Sequence, residues 1–350
     1  MHALRRRQRL APGGWRLLLA ALCLMGCRAA TAPQPPWAAI EPSSYAAGPT
    51  SPTTKVFLIA GGNDVANFAA EVLEQRTLWR KAGLREDQIA CYWARPSADD
   101  FQSDRAQFEA LALALRSCHI ATPGRVANDL RIAAQHAEGF VFVYVTSHGL
   151  ASQLRPLESS KQPRTGRLVA SLSPAERNVL DPAAIGLLAG EGPRLGDPRA
   201  IVTQLRRGSE PAAVVFTPRT LGPLLAAFPA DVRKIIVLQA CFSGAFIDHH
   251  DTQEAEPSAG ADALLRVPNL TALTATAAER PSFGCGSGEA RTYFGGTFNV
   301  ALSRALEQHA PGELPWQDIY DNVVFAIEAM ESVQGVRSSR PGFVQTTPAP

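Results

Sequence analysis

Two apolar segments of the chain end in side chains that can attack a carbonyl group and exchange protons with it. Residues 234–240 lead into Cys241, and residues 140–147 lead into His148, which Gly149 follows. A thiol becomes a strong nucleophile when a neighbouring imidazole takes its proton. The glycine lets a substrate approach the backbone, and its N–H together with that of Cys241 could form an oxyanion hole. The pattern predicts acyl transfer through a thioester.

The residues alone also leave a structural interpretation open. Cysteine is among the residues most often buried, and a histidine at a strand end can be satisfied by hydrogen bonds. In that interpretation Cys241 and His148 contribute to the packing of the fold and have no catalytic role. Their placement at the ends of two matching strand-turn segments favours the catalytic interpretation.

The two segments need a sheet that brings strand ends together. Short apolar runs bounded by turn residues are typical of buried parallel strands, and open α/β folds hold their reacting groups at the carboxyl ends of such strands. The predicted strands are residues 56–60, 88–93, 140–146, 234–240 and 269–275, and the predicted helices are residues 65–81, 104–118, 125–137, 221–228, 297–308 and 316–332. This alternation predicts an α/β fold with three layers, an α/β/α sandwich around a mainly parallel central sheet.

Residues 150–219 interrupt the alternation. Prolines and glycines punctuate the segment, and no hydrophobic period is sustained. A loop of this length inside a compact domain is usually functional or mobile. We interpret it as an insertion that could cover the carboxyl edge of the sheet, and as the expected site of proteolytic nicking.

The N-terminus has the pattern of an export signal: arginines, an apolar run too short to span a bilayer, then Gly-Cys. This ending resembles the lipobox of bacterial lipoproteins, which implies cleavage before Cys27 and lipidation of its thiol. A plain cleaved signal with an incidental cysteine is the alternative. We expect a signal peptide over residues 1–26, a proline-rich tether over 27–54, a folded domain over 55–335 and a tail over 336–350. The expected product is an exported, membrane-anchored lipoprotein facing the periplasm or the cell exterior.

Composition excludes a nucleic-acid binder. The chain has 46% hydrophobic and 19% charged residues, as an ordinary globular protein does. Its formal net charge of +2 includes five arginines in the first 16 residues, so the remainder is slightly acidic. No concentrated basic face is expected.

Other candidate motifs are weaker. Residues 248–251, Asp-His-His-Asp, have the side chains of a metal site but lie in a polar stretch without a second ligand cluster, which favours a solvated loop. Cys91 and Cys118 could form a disulfide in an oxidising compartment, although pairing cannot be deduced, and Cys285 has no obvious partner. Phosphate-loop patterns and the Gly-x-Ser-x-Gly elbow are absent from the sequence.

Several stretches together resemble the caspase-like cysteine peptidases of clan CD, and among them the legumain-type peptidase C13 family. They are Ser147-His148-Gly149, Gln239-Ala240-Cys241-Phe242-Ser243-Gly244, Asn67-Phe68, residues 276–285 and Thr292-Tyr293-Phe294-Gly295-Gly296. The first two follow apolar strands in the order typical of the family. The resemblance covers residues 55–310 apart from the insertion and implies the caspase-like fold.

The resemblance also implies roles for individual residues. Cys241 would be the nucleophile, His148 the general base and acid, Gly149 an oxyanion donor and Asn67 the group that orients the imidazole. For Asn67, a helix cap is an equally good interpretation on the sequence alone.

Three charged positions of the family's asparagine pocket are occupied here by Ala69, Phe242 and Gly296. A pocket without its fixed hydrogen-bond partners loses selectivity for a carboxamide. We therefore expect a smaller or more apolar pocket shaped by Phe242 and Phe283, with Ser282 and Gly296 also on the substrate side.

The sequence predicts a cysteine endopeptidase that acts on peptide or protein substrates without strict asparagine specificity and needs no metal or organic cofactor. A transamidase that resolves the same acyl-enzyme with an amine is one alternative. A peptidase-like lipoprotein that binds a partner without turnover is another.

Overall fold

The computed structural model describes residues 51–62, 65–96, 98, 105–150, 173–174, 183–187, 203–247, 261–285 and 290–347. Its strands are β1 (Val56–Ala60), β2 (Ile89–Trp93), β3 (His119–Ile120), β4 (Phe140–Thr146), β5 (Gly149–Leu150), β6 (Ala184–Ile185), β7 (Arg233–Gln239), β8 (Leu270–Thr274) and β9 (Gly342–Gln345). Seven of them form one sheet in the order β3-β2-β1-β4-β7-β8-β9. All neighbours pair in parallel except β8 and β9. The carboxyl ends of β4 and β7 therefore lie side by side at the centre of the sheet.

Helices cover both faces of the sheet. They are α1 (Ala66–Lys81), α2 (Arg105–Ala114), α3 (Pro123–Ala134), α4 (Pro218–Ala226), α5 (Ala261–Leu265), α6 (Tyr293–Gln308) and α7 (Trp316–Gln334), with short 3₁₀ turns at Glu86–Gln88, Pro211–Ala213 and Ser243–Phe246. One core lies between the sheet and α1, α2, α6 and α7, and the other between the sheet and α3, α4 and α5.

The strands read as continuous apolar runs because both of their faces are buried. Within β1, Val56 and Leu58 face one core, whereas Phe57 and Ile59 face the other. The predicted three-layer α/β/α sandwich with a mainly parallel sheet is confirmed, and it is consistent with a caspase-like fold. Each predicted strand and helix is present, with ends that differ from the prediction by a few residues.

The strands of two to four residues were not predicted, because so few residues show no recognisable hydrophobic period. The most consequential is β9, which lies within residues 336–350 and extends the sheet antiparallel to β8. In β9 only Phe343 and Val344 are apolar, and a proline and a polar stretch flank the strand.

Parts of residues 150–219 are packed into the core. β6 pairs antiparallel with β5, and Ile185 also bridges to Phe216. Ile185, Leu187 and Phe216 are buried against the face that α3 and α4 cover. Over these residues the segment is a structural part of the domain, which its proline-interrupted sequence did not predict.

Cys91 in β2 and Cys118, just before β3, form a disulfide. Cys285 is an exposed thiol. The predicted lipidation site Cys27 and the Asp-His-His-Asp stretch of residues 248–251 lie outside the described residues. Within the described part of the chain, no helix has the length and apolar character needed to cross a bilayer.

Candidate active site

His148 and Cys241 lie the same number of residues beyond the ends of two paired strands, β4 and β7. Thr146 and Gln239 are register partners at the ends of β4 and β7, and each candidate residue lies two positions further along its strand. The Ser147 N–H donates to the carbonyl oxygen of Gln239 (3.1 Å), so the pairing continues past the strand ends. Because neighbouring strands lie about 4.8 Å apart, this register delivers the thiol and the imidazole to one edge of the sheet.

Gly149 packs directly against the backbone of Cys241. A Cβ atom at position 149 would overlap the Cys241 carbonyl oxygen and lie only 2.8 Å from its carbonyl carbon and 3.1 Å from its nitrogen. Only glycine allows this approach, which packs the turn at His148 and Gly149 against the loop at Cys241.

The N–H of Gly149 is not used by the short β5–β6 ladder. Gly149 is the register partner of Ile185, and the Gly186 N–H donates to the carbonyl oxygen of His148 (3.2 Å). This bond makes Gly149 and Ile185 a non-hydrogen-bonded pair of the antiparallel ladder. The ladder between β5 and β6 therefore does not engage the N–H of Gly149.

The thiol of Cys241 lies against the backbone of Ser282. The Ser282 N–H donates to Sγ (3.3 Å), and Sγ lies 3.9 Å from the Ser282 carbonyl oxygen. Burial raises the pKa of the Cys241 thiol, and the Ser282 N–H opposes that rise by stabilising the thiolate. The thiol therefore needs a base to become nucleophilic.

The imidazole of His148 is half-buried and meets the edge of an aromatic ring. Phe68, near the start of α1, lies edge-on to His148 with ring centroids 5.3 Å apart. Gly62 leaves room for the phenyl ring, because a Cβ atom there would overlap it. No function for Phe68 could be predicted from its residue type, and its position beside Asn67 was the one signal in the sequence.

Asn67 is not a helix cap. It is the second residue of α1, whose N-cap is Val65, and its Nδ2 donates to the carbonyl oxygen of Gly284 (3.1 Å). The fully buried amide thus joins α1 to the segment that carries Ser282. A role in orienting His148 stays a prediction.

The residues predicted to shape the substrate pocket occupy different environments. Phe242 follows Cys241 with a left-handed backbone (φ 61°), and its N–H donates to the carbonyl oxygen of Arg280 (2.9 Å). The Phe283 ring lies 6.5 Å from that of Tyr293. Ala69 is only 1% exposed and packs in the core on the α1 side of the sheet.

Gly296 has a charged neighbour, Arg291, that was not predicted from the sequence. A Cβ atom at Gly296 would lie 3.5 Å from Cβ of Arg291. The Nε of Arg291 pairs with the Glu74 carboxylate at 2.6 Å. Charge therefore lies beside this position although the residue itself has none.

Gly244 packs closely against the backbone that follows β8. A Cβ atom there would overlap the Thr276 carbonyl oxygen and lie 2.7 Å from Ala277 backbone atoms. The glycine is required because the chain that follows β8 fills this space.

One protein-family model matches part of the chain. Residues 225–343 match the model of the Peptidase C13 family. No curated protein matches the sequence. Among solved structures, a crystal structure of a protein from Geobacter sulfurreducens is 12% identical with a TM-score of 0.44, and the alignment covers 85% of this chain and 94% of that one. The matched segment includes Cys241, and the match confirms the resemblance to the C13 family that was recognised in the sequence.

Proposed function

We propose that the protein is a cysteine endopeptidase in which Cys241 and His148 form the reacting pair. The observation that carries the proposal is the shared register of β4 and β7, with Gly149 packed on the backbone of Cys241. A C13 match over the segment that holds Cys241 supports a cysteine-peptidase role. His148 lies outside that segment, so its part in the pair rests on the geometry.

The proposed reaction begins when His148 takes the proton of the Cys241 thiol. The sulfur attacks the scissile carbonyl carbon, and the N–H groups of Gly149 and Cys241 stabilise the oxyanion. The imidazolium then gives its proton to the leaving amine, and the C–N bond breaks to leave a thioester. His148 takes a proton from water, which attacks the thioester and releases the acid and the thiol.

We propose an apolar or small pocket for the residue before the cleaved bond. Phe242 and Phe283 are half-exposed aromatic residues on the two segments next to the thiol. Ser282, whose backbone contacts Sγ, and Gly296 complete the proposed substrate side. A peptide library cut only after asparagine would contradict this pocket.

A mixed-sequence peptide library tests the activity. We expect the full chain to cleave it and the Cys241→Ala variant to leave it intact, as read by mass spectrometry. An added amine nucleophile distinguishes hydrolysis from transamidation by the product formed. If neither protein cleaves any peptide, limited nicking within residues 150–219 followed by the same assay separates an uncut zymogen from a binding protein. Inactivity after nicking would contradict the endopeptidase proposal.

We also propose lipid anchorage at Cys27, on the strength of the leader pattern alone. In a bacterial host, we expect the chain in the membrane fraction and the Cys27→Ser variant in the soluble fraction. Equal partition of the two proteins would contradict the anchor.

A further inference from the structure

A buried carboxyl group lies beneath the candidate active site. Glu71 on α1 is 0% exposed. Its Oε1 lies 2.7 Å from both N and Oγ1 of Thr292, and its Oε2 lies 2.9 Å from Tyr144 Oη and 2.7 Å from Thr146 Oγ1. Gly295 makes room for the group, since a Cβ atom there would overlap the carboxyl. Four close polar contacts in a fully buried site fix the carboxyl in place.

The contacts continue from this carboxyl to the thiol. Thr146 Oγ1 also lies 2.9 Å from Gln239 Oε1, and Gln239 Nε2 donates to Ser282 Oγ (3.2 Å). Ser282 then donates its N–H to Cys241 Sγ (3.3 Å). Glu71, Thr146 and Gln239 are all fully buried. One chain of contacts thus connects α1, β4, β7 and the segment beside the nucleophile.

The Gln239 amide is oriented with Oε1 toward Thr146 and Nε2 toward Ser282. For this orientation, counting protons defines the direction of the hydrogen bonds along the chain. Thr146 has a single hydroxyl proton, yet its oxygen lies between two acceptors, Glu71 Oε2 and Gln239 Oε1. If Glu71 is ionised, Thr146 donates to it and the Gln239 carbonyl oxygen has no donor from Thr146. If Glu71 is neutral, its O–H donates to Thr146, Thr146 donates to Gln239, and every contact is satisfied. A fully satisfied buried network is much the more stable arrangement.

Burial acts in the same direction as the proton count. It raises the pKa of Glu71, although the hydrogen bonds from Thr146, Thr292 and Tyr144 oppose the rise. The other titratable groups near this carboxyl are Tyr144 on β4, which burial also keeps neutral, and Glu74 on α1 with its partner Arg291.

We propose that Glu71 is a positioning residue for the Cys241 site: held as the neutral acid, it orients Thr146 and Gln239 so that Gln239 fixes Ser282 against the thiol. This inference rests on the proposed function for its catalytic meaning. The contact between Ser282 and Sγ exists without turnover, so its test does not require peptidase activity.

The test is the pH profile of Cys241 alkylation by iodoacetamide in the full chain, resolved by peptide mass spectrometry. Cys285, an exposed thiol in the same protein, provides the internal reference. Thr146→Val keeps the shape of the side chain and removes the hydroxyl, and Thr146→Ser restores it. Glu71→Gln keeps a neutral donor toward Thr146.

With Thr146→Val we expect Cys241 to react roughly 3- to 10-fold more slowly at neutral pH, with its profile shifted to higher pH, because the thiolate loses part of a charge-assisted hydrogen bond. Cys285 should be unchanged, and Thr146→Ser and Glu71→Gln should follow the unmodified protein. For an active peptidase the loss should appear in kcat and not in KM.

Two results would overturn the proposal. A Cys241 profile in Thr146→Val that superimposes on that of the unmodified protein would show that the chain of contacts does not position the thiol. A Glu71→Gln profile as slow as that of Thr146→Val would show that the carboxyl acts as an ion. If peptide cleavage is absent, the alkylation profiles still decide, so the two proposals fail separately.

Discussion

At the scale of single residues, the closest constraint on the site is the missing side chain of Gly149. Because a Cβ atom would overlap the Cys241 carbonyl oxygen, we expect Gly149→Ala to move the nucleophile loop. The expected cost is about 1–3 kcal/mol of unfolding free energy, with loss of peptide cleavage. Urea unfolding and the cleavage assay measure the two effects.

Gly312→Ala is the matched control for this substitution. A Cβ atom there would meet Phe140 at an ordinary 3.6 Å. We expect near-normal stability and activity. Equal tolerance of the two alanines would contradict the close packing of Gly149 on Cys241.

The residues of the proposed pair, Cys241 and His148, could be singled out in the sequence because each follows a long apolar run. The residues that contact and position this pair could not be predicted in the same way. Glu71, Thr146 and Gln239 are far apart in the chain, and each has an unremarkable local pattern. Phe242 adopts a left-handed backbone that a bulky residue disfavours, so nothing in its type predicted that geometry.

At the scale of elements, Glu71 joins three of them. Its carboxyl is in hydrogen-bond contact with Thr292, the N-cap residue of α6, and with Tyr144 and Thr146 of β4. The folded protein binds the carboxyl proton more tightly than the unfolded chain does, because burial raises the pKa of Glu71. The tighter proton binding contributes fully to the free energy of unfolding below the ordinary glutamate pKa of about 4.3. The contribution is lost as the pH rises toward the pKa of Glu71 in the folded protein.

We therefore expect Glu71→Gln to change the pH dependence of stability. As the pH increases from about 4 to about 7.5, the unmodified protein should lose unfolding free energy relative to the variant. The expected loss is about 1.4 kcal/mol for each unit by which folding raises the pKa of Glu71. Urea titrations of both proteins at the two pH values give the difference. An identical pH dependence would contradict a neutral Glu71.

The long elements were predictable because their periods are sustained over several residues. β3, β5, β6 and β9 were not, since each has four residues or fewer and owes its position to neighbours already in place. The disulfide partner of Cys91 could not be predicted either. The pairing depends on β2 and β3 being neighbours in the sheet, which the sequence does not show.

At the scale of the whole molecule, β9 covers one edge of the sheet. It pairs with β8, and the Phe343 ring stacks on Tyr320 of α7 with centroids 5.0 Å apart. The Tyr320 hydroxyl also donates to the carbonyl oxygen of Pro341 (2.9 Å). The last strand therefore fastens α7 to the sheet and closes the edge of β8.

Truncation after Pro341 should expose the edge of β8. We expect a melting temperature several degrees lower and a tendency to self-associate, because an unpaired strand edge is a template for pairing with other chains. Differential scanning fluorimetry and size-exclusion chromatography measure both effects. Truncation after Thr347 is the control and should be neutral, and equal behaviour of the two truncations would contradict the role of β9.

The central claim is that Cys241 forms the acyl-enzyme with help from His148. Intact-protein mass spectrometry after incubation with an activated peptide ester tests it most directly, with the adduct mapped to a tryptic peptide. The account predicts a thioester on Cys241 in the full chain, much slower formation in His148→Ala and none in Cys241→Ala. An adduct that persists in Cys241→Ala or maps to Cys285, or an unchanged rate in His148→Ala, would contradict it.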